Sequence, residues 1–327
     1  MKVMFSTLSR KETPSNTKNT PYKLNRFMKK EGNKTLFLTL PLKINKLFLF
    51  KYIFSFYFKY KRFSPEIVIG FHPIASIPLL LKRLKLIASP VVYYWWDFDM
   101  EIMGKRWGVD KIAFLEMYCV KNADIVFTNS LFQYNLGKKL GINIFYFKQG
   151  VEEYFNNSVK KIKLPGKNKF KILYIGNMNK FKNMPSLIKS VDGLNVDLIL
   201  LGEIAENLQV SFPNNVYHLP SVEHMKIPPY VKSASIVVCP SDQDGTLKMY
   251  EYIRMGKCIL SKKGKINYIL NHNETTYSTD NFREAIKFLK NNPTLIKTIE
   301  KNVSKIKVPT CKEVFNEQIR RMKCLIK

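Results

Sequence analysis

The stretch "VVCPSDQDGTLKMYEYIRMGKCIL", Val237 to Leu260, decides the reading of its half of the chain. Ile236 to Cys239 is an apolar run of strand length, followed by a polar loop holding Gly245, a helix carrying Glu251, then Gly256 and a second apolar run. A strand that empties into a loop at a helix N-terminus brings backbone N–H groups together without partners, which favours an anionic ligand there.

The same alternation extends outward from this stretch. Towards the N-terminus lie "KILYIG", a helix in "MPSLIKSVDG", "VDLILLG", "NVYHLP" and a helix in "MKIPPYVKSA"; beyond Leu260 comes a terminal helix pair. Earlier still, "KVMFSTL", "KTLFLTLPL", "SPEIVIGFHP", "SPVVYYWWDFD", "ADIVFTNS" and "INIFYF" read as strands separated by helical segments. Short apolar strands alternating with helices imply parallel, doubly wound sheets. The fold class is therefore α/β, with two Rossmann-like domains. The polar, Lys-rich segment "NNSVKKIKLPGKNKF" at 156–170 reads as the linker, giving an N-terminal domain over 1–160 and a C-terminal domain over 161–327, the last helix packing back on the first domain. A ligand between two such domains is expected at the carboxyl ends of the strands.

Composition narrows the function classes. With 327 residues, 46% of them hydrophobic, and with 23 Phe and 17 Tyr, the chain has material for two cores and is not disordered. Its formal charge is +29, and residues 1–85 contribute +15 of it. Such a field suits nucleic acid, an anionic membrane surface or a phosphorylated small molecule. A Lys-, Ile- and Asn-rich composition from an AT-rich genome is the neutral alternative. The segment Ile44 to Phe63 is apolar on nearly every side but broken by Lys46, Lys51 and Lys59, too short an uninterrupted run to span a bilayer. It reads either as a buried helix or as an interfacial helix whose lysines reach headgroups. Five scattered cysteines, Cys119, Cys239, Cys258, Cys311 and Cys324, suggest neither a zinc site nor a disulfide framework. The N-terminus lacks the apolar core of a signal peptide, so a cytoplasmic protein, peripheral on the inner membrane face, is expected.

From about Phe71 onward the chain resembles the retaining nucleotide-sugar glycosyltransferases of the GT-B fold, in the large family-four group. Three elements carry the resemblance. "ADIVFTNS…GINIFYFKQGVEEYF" is similar to the element closing the family's N-terminal domain. "KILYIGNMNKFKNMPSLIKSV" is similar to the first strand and loop of its C-terminal domain, where Gly176 follows the strand and an Arg and a Lys grip the donor diphosphate. Lys182 matches the Lys; the Arg position falls on Asn177, and Lys180 is the substitute cation. The third element is the opening stretch, where the family carries two acids separated by seven residues. Glu251 matches the second acid, which binds the ribose hydroxyls. Counting back gives Gln243 at the first acid, beside the donor sugar; a one-residue deletion gives Asp244, the preferred reading. Gly245, Thr246 and Leu247 then offer backbone amides to the sugar or phosphates, and Lys248 adds charge.

In the N-terminal domain the resemblance implies a reacting-centre or acceptor role for His72, Trp96, Asp97 and Asp99. It implies sugar transfer with retention, the leaving diphosphate stabilised by Lys182 and loop amides rather than by a metal. The nucleotide sugar is a substrate, so no cofactor is expected, and "DFD" at Asp97 and Asp99 is read as non-metal. The expected activity is transfer to a glycan or lipid-linked acceptor. Competing readings are a nucleotide-sugar epimerase, an inactive relative, or a basic nucleic-acid-binding protein; against the last, no zinc pattern, aromatic ribonucleoprotein motif or helix-turn-helix spacing is present.

Overall fold

The computed structural model describes residues 1–8, 20–40, 46–95, 109–179, 182–205, 208, 210–241, 246–264 and 269–326. The chain divides into two compact units, one of residues Met1–Phe147 with Lys312–Lys327, the other Lys148–Cys311. Residues 148–160, expected in the first domain, thus lie in the second unit.

In the first unit six parallel strands are ordered β2-β1-β3-β4-β5-β6. They are β1 (Lys2–Leu8), β2 (Lys34–Leu40), β3 (Ile67–Phe71), β4 (Val91–Tyr94), β5 (Ile125–Thr128) and β6 (Ile144–Tyr146). Every residue of β3, β4 and β5 is buried. Apolar residues at successive positions, rather than alternate ones, are what a strand needs when helices cover both faces of its sheet. The helices preceding the second unit are α1 (Thr20–Lys30), α2 (Lys46–Phe63), α3 (Ser76–Arg83), α4 (Val109–Asn122) and α5 (Leu131–Lys139). The closing helix, which starts at Cys311 and runs to Lys323, packs on this unit: the Tyr94 hydroxyl donates to Gln318 Oε1 at 2.9 Å, Phe315 lies 5.4 Å from Phe27, and the Arg321 guanidinium is 4.5 Å from the Phe145 ring centre.

The second unit repeats the plan with strands β7 (Lys171–Ile175), β8 (Asp197–Leu201), β9 (Val216–Leu219), β10 (Ile236–Cys239), β11 (Ile259–Lys262) and β12 (Tyr277–Thr279), ordered β12-β11-β10-β7-β8-β9. All pairings are parallel. Its helices are α6 (Met184–Ser190), α7 (Ile227–Ser233), α8 (Leu247–Arg254), α9 (Phe282–Asn291) and α10 (Pro293–Val303), and the closing helix is α11 (Cys311–Lys323). From β7 the chain winds outward through β8 and β9, then returns to start again at β10 on the other side. The order therefore reverses between β7 and β10, and at such a switch point the two sets of crossovers part and leave a crevice outside the carboxyl ends of the strands.

The segment read as a linker is anchored within this unit instead. Leu164 is buried in the core, the Ile162 amide donates to Ser233 Oγ at 2.8 Å, and both the amide and the side chain of Asn168 donate to the buried Asp197 carboxylate. Lys171 Nζ completes the Asp197 cluster at 2.5 Å. Polar composition here serves a buried carboxylate, which needs donors on all sides, and so it does not mark a free connector.

Candidate functional site

The switch point is built by glycines. Gly176, directly after β7, has φ +120° and donates its amide to the Leu201 carbonyl at 2.8 Å; Gly202, directly after β8, has φ +145°. A Cβ on Gly202 would stand 2.3 Å from the Gly176 carbonyl oxygen, so the two loops run backbone against backbone. Only glycine combines that φ with that approach. A Cβ on Gly176 would meet Lys248 Nζ at 2.8 Å, which places the ammonium of α8 directly over the end of β7.

Lys248 is held there by Tyr174. Its Nζ lies 4.4 Å from the ring centre and donates to the phenolic oxygen at 3.4 Å, while the hydroxyl itself donates to the Asn177 carbonyl at 2.9 Å. Burial, and next the nearby Lys182 ammonium, push the Lys248 pKa down to about 8. Burial also lowers that of Lys182, whose amide is pinned by Asn179, donating to its carbonyl at 3.2 Å and to its side-chain oxygen at 3.0 Å. Among the described residues no carboxylate bonds either ammonium. Glu251, three residues further along α8, offsets part of the Lys248 charge without bonding its ammonium, so two desolvated cations remain at a site that an anion would complete. Thr246 adds to the same field: it is the extended N-cap of α8, its side chain makes no cap bond, and its carbonyl takes the Met249 amide at 3.1 Å. Cys239, at the end of β10, is buried, and its thiol is pushed up to about 12 by that burial, which removes it as a nucleophile.

One turn further along α8, Glu251 is 4% exposed. Its Oε1 receives His224 Nε2 at 2.6 Å, and His224 Nδ1 meets the Tyr154 hydroxyl at 2.5 Å. Burial, and then the neighbouring Glu152 and Glu251, raise the Tyr154 pKa far above its usual value, so the phenol stays protonated. The Glu251 carboxylate can only accept, so Nε2 donates to it, and in the neutral imidazole Nδ1 accepts from the Tyr154 hydroxyl. This relay fixes the plane of Glu251 and leaves Oε2 with no hydrogen-bond partner among the described residues. The end of the helix has a structural explanation. Gly256 (φ +61°) donates to Ile253 and Lys257 to Tyr252, the paired bonds of a Schellman terminus. Lys257 then pairs with Glu300 at 2.9 Å.

The structure therefore gathers Gly176, Asn177, Lys182, Thr246, Leu247, Lys248 and Glu251 around the ends of β7 and β10. Gln243, Asp244, Gly245 and Lys180 lie outside the described residues, as do Trp96, Asp97 and Asp99. In the first unit, His72 follows β3 with φ +61° and caps the turn Pro73–Ala75. It is half-buried at the carboxyl end of the strand, in a backbone conformation that a non-glycine residue adopts only under constraint. Directly after the adjacent β4 stands Trp95, whose indole donates to the buried Glu116 carboxylate at 2.5 Å. Three residues that sequence reasoning missed are Gly202, His224 and Tyr154. Gly202 had a signal, since "LILLG" copies "LYIG" at the end of the neighbouring strand.

Residues 169–292 match the family model described as glycosyl transferases group 1. The matched segment lies within the second unit. Over the whole chain the GT-B fold recurs in solved structures. Sucrose-phosphate synthase from Thermosynechococcus elongatus superposes with a TM-score of 0.80 at 12% identity, covering 99% of this chain and 98% of that one. HepE from Anabaena, in complex with UDP-glucose, gives 0.70 at 14% identity over 99% of both chains. A UDP-N-acetylglucosamine 2-epimerase gives 0.59 at 12%, covering 98% of this chain and 94% of that one. No curated protein matches the sequence. No helix among the described residues is long and apolar enough to cross a membrane.

Proposed function

We propose that this chain transfers a sugar from a nucleoside-diphosphate sugar, with retention of anomeric configuration, to a glycan or lipid-linked acceptor. The observation that carries the reading is the pair of desolvated ammonium groups of Lys182 and Lys248 at the switch point of the second unit, whose residues 169–292 match the group 1 model, next to the buried Glu251. A diphosphate answers the charge of the two lysines. The uncommitted Oε2 of Glu251 answers a ribose hydroxyl, because a carboxylate whose other oxygen is already saturated accepts without reorienting.

In the resulting mechanism the leaving diphosphate gathers negative charge as the glycosidic bond breaks, and Lys182, Lys248 and the first amides of α8 stabilise it. Donors fixed before the reaction need no reorganisation as that charge develops. Asp244, or Gln243 in its place, faces the donor sugar, with Gly245, Thr246 and Leu247 presenting amides. His72, Trp96, Asp97 and Asp99 serve the acceptor side. Two ammonium groups supply the charge a divalent ion would otherwise bring, so the transfer is proposed to need no metal.

The fold of the epimerase keeps a second outcome in view, isomerisation of the donor without transfer. A thermal-shift screen of nucleotide sugars, with UDP-glucose first because a HepE structure holds it, is run on the wild type and on Glu251→Ala. A ligand at a hundredfold excess over its Kd stabilises by about 2.7 kcal/mol, and Glu251→Ala should lose most of that gain. Equal stabilisation of the two proteins would remove the assigned site. With a labelled version of the best donor, label on an acceptor supports transfer, and an isomerised donor supports the epimerase.

A further inference from the structure

Helix α2, in the first unit, carries two aromatic stripes on opposite faces. Tyr52, Phe56 and Tyr60 are spaced four apart and buried. The Tyr52 hydroxyl bonds Ser6 Oγ at 2.9 Å, and the Tyr60 hydroxyl takes the Ala88 and Ser89 amides at 3.1 Å each. This face seats the helix on its sheet. Offset by two residues, hence by about 200° of helical rotation, run Phe50, Phe54 and Phe58, which are 59%, 47% and 65% exposed, with Leu49 beside them. Their rings touch one another, 4.6 Å between Phe50 and Phe54 and 6.5 Å between Phe54 and Phe58. Isolated exposed apolar residues need no explanation, but a contiguous row of three phenylalanines marks an interaction surface.

The charges around the row say what covers it. Lys51, Lys59, Lys61 and Arg62 are all exposed, and the helix contains no acid. The Lys61 ammonium lies over the Tyr57 ring, 5.6 Å from its centre, one turn along the same helix. A second copy of this face would set four cations against four cations, which a self-complementary contact does not tolerate. A lipid surface with anionic headgroups satisfies both parts at once: rings enter the headgroup boundary while flanking cations stay at phosphate level. The helix is too charged and too short in apolar length to go further.

We propose that the outward face of α2 docks on an anionic bilayer, Phe50, Phe54 and Phe58 entering the headgroup boundary and Lys51, Lys59, Lys61 and Arg62 pairing with lipid phosphates. The proposal stands independently of the donor site in the second unit.

A chain of charge +29 will adhere to any anionic vesicle, so the test reads insertion as well as binding. Phe58→Trp is mixed with vesicles of phosphatidylglycerol and phosphatidylcholine, and its emission is compared with that of the parent protein. The added indole should shift to the blue and be quenched by lipids brominated near the headgroup, and neither should occur with pure phosphatidylcholine. In co-sedimentation at about 0.15 M salt the full chain should bind, and binding should weaken as salt is raised to about 0.5 M and exposed charge is screened. Phe50→Ser/Phe54→Ser/Phe58→Ser should bind roughly 100-fold more weakly, from the apolar area removed. An unshifted, unquenched indole on vesicles that carry bound protein overturns the proposal. So does a wild-type dimer in sedimentation equilibrium that the triple substitution turns into monomer, because the row would then be covered by a second copy. An unchanged melting curve for the triple variant shows that its loss of binding is not unfolding.

Discussion

If an anion completes the Lys182 and Lys248 pair, its binding must carry a proton with it. In the free protein the Lys248 ammonium titrates at about 8, against 10.5 for an ordinary lysine, because burial and Lys182 both disfavour its charge. A diphosphate reverses the balance, so the bound state holds the proton to higher pH. Affinity is therefore complete below about pH 8 and falls towards tenfold per unit above it, roughly thirty-fold weaker at pH 9.5 than at pH 7 while the complex stays protonated. The free protein shows the opposite sign. The unfolded chain keeps the Lys248 proton longer than the folded one, so between about 8 and 10.5 this group makes stability rise with pH. The assay is titration calorimetry of UDP at about pH 8.5 in two buffers of different ionisation enthalpy. Wild type should take up close to one proton, about 0.8 from a group titrating near 8, and Lys248→Met should take up markedly less. Titration of the nucleotide base is common to both proteins and cancels in the difference. Equal proton uptake by wild type and Lys248→Met, with measurable binding in each, would refute the pairing of Lys248 with the ligand's phosphates.

Three further expectations follow from the same geometry. Gly202→Ala drives a Cβ to within 2.3 Å of the Gly176 carbonyl oxygen; a backbone that must shift, together with the φ penalty, should lower stability by about 1–3 kcal/mol in urea unfolding, and a loss under ~0.5 kcal/mol would contradict the close approach. Tyr154→Phe removes the hydroxyl that holds His224 Nδ1; by loosening the imidazole that orients Glu251 it should weaken nucleotide binding several-fold, and an affinity equal to that of wild type would separate the relay from the site. Alkylation at pH 8 followed by mass spectrometry should label the exposed Cys324 first and leave Cys119, Cys239 and Cys258 unmodified in the folded protein, and early labelling of Cys239 would contradict its buried, raised thiol.

The strands and the donor loop were legible because their signals are local. Apolar runs such as Ile236–Cys239 and Lys171–Ile175 must be buried on both faces, and Gly176 and Glu251 fall at fixed distances from those runs. His224 has no such signal. It sits on a short turn between β9 and α7, 27 residues from Glu251 and 70 from Tyr154, and acquires its role only when the fold brings that turn, the Tyr154 loop and helix α8 together. Lys248 was legible as a charge but not as a depressed one, since what lowers it is burial against Tyr174 and the field of Lys182, which lies on the loop after another strand. The 156–170 segment misled for the complementary reason: composition records polarity, and a buried carboxylate such as Asp197 recruits polar neighbours just as water does.

Helix α2 is the instructive case, because its sequence supported a buried helix and an interfacial helix equally, and the two readings exclude each other only if a helix has a single face. At 3.6 residues per turn, rows four apart and offset by two lie back to back, so Tyr52, Phe56 and Tyr60 can fill a core while Phe50, Phe54 and Phe58 face outward. The polar tips sort the rows. The buried one carries two hydroxyls, each with a partner in the sheet layer, and the outward one carries none. Phenylalanine rather than tyrosine on the solvent side is the choice that water disfavours and an acyl boundary rewards. Phe50→Tyr/Phe54→Tyr/Phe58→Tyr keeps ring area while adding three hydroxyls, so on the vesicles described above it should bind more weakly than wild type yet more tightly than the triple serine variant. A triple tyrosine variant indistinguishable from the serine one would mean that the row binds through something other than apolar insertion.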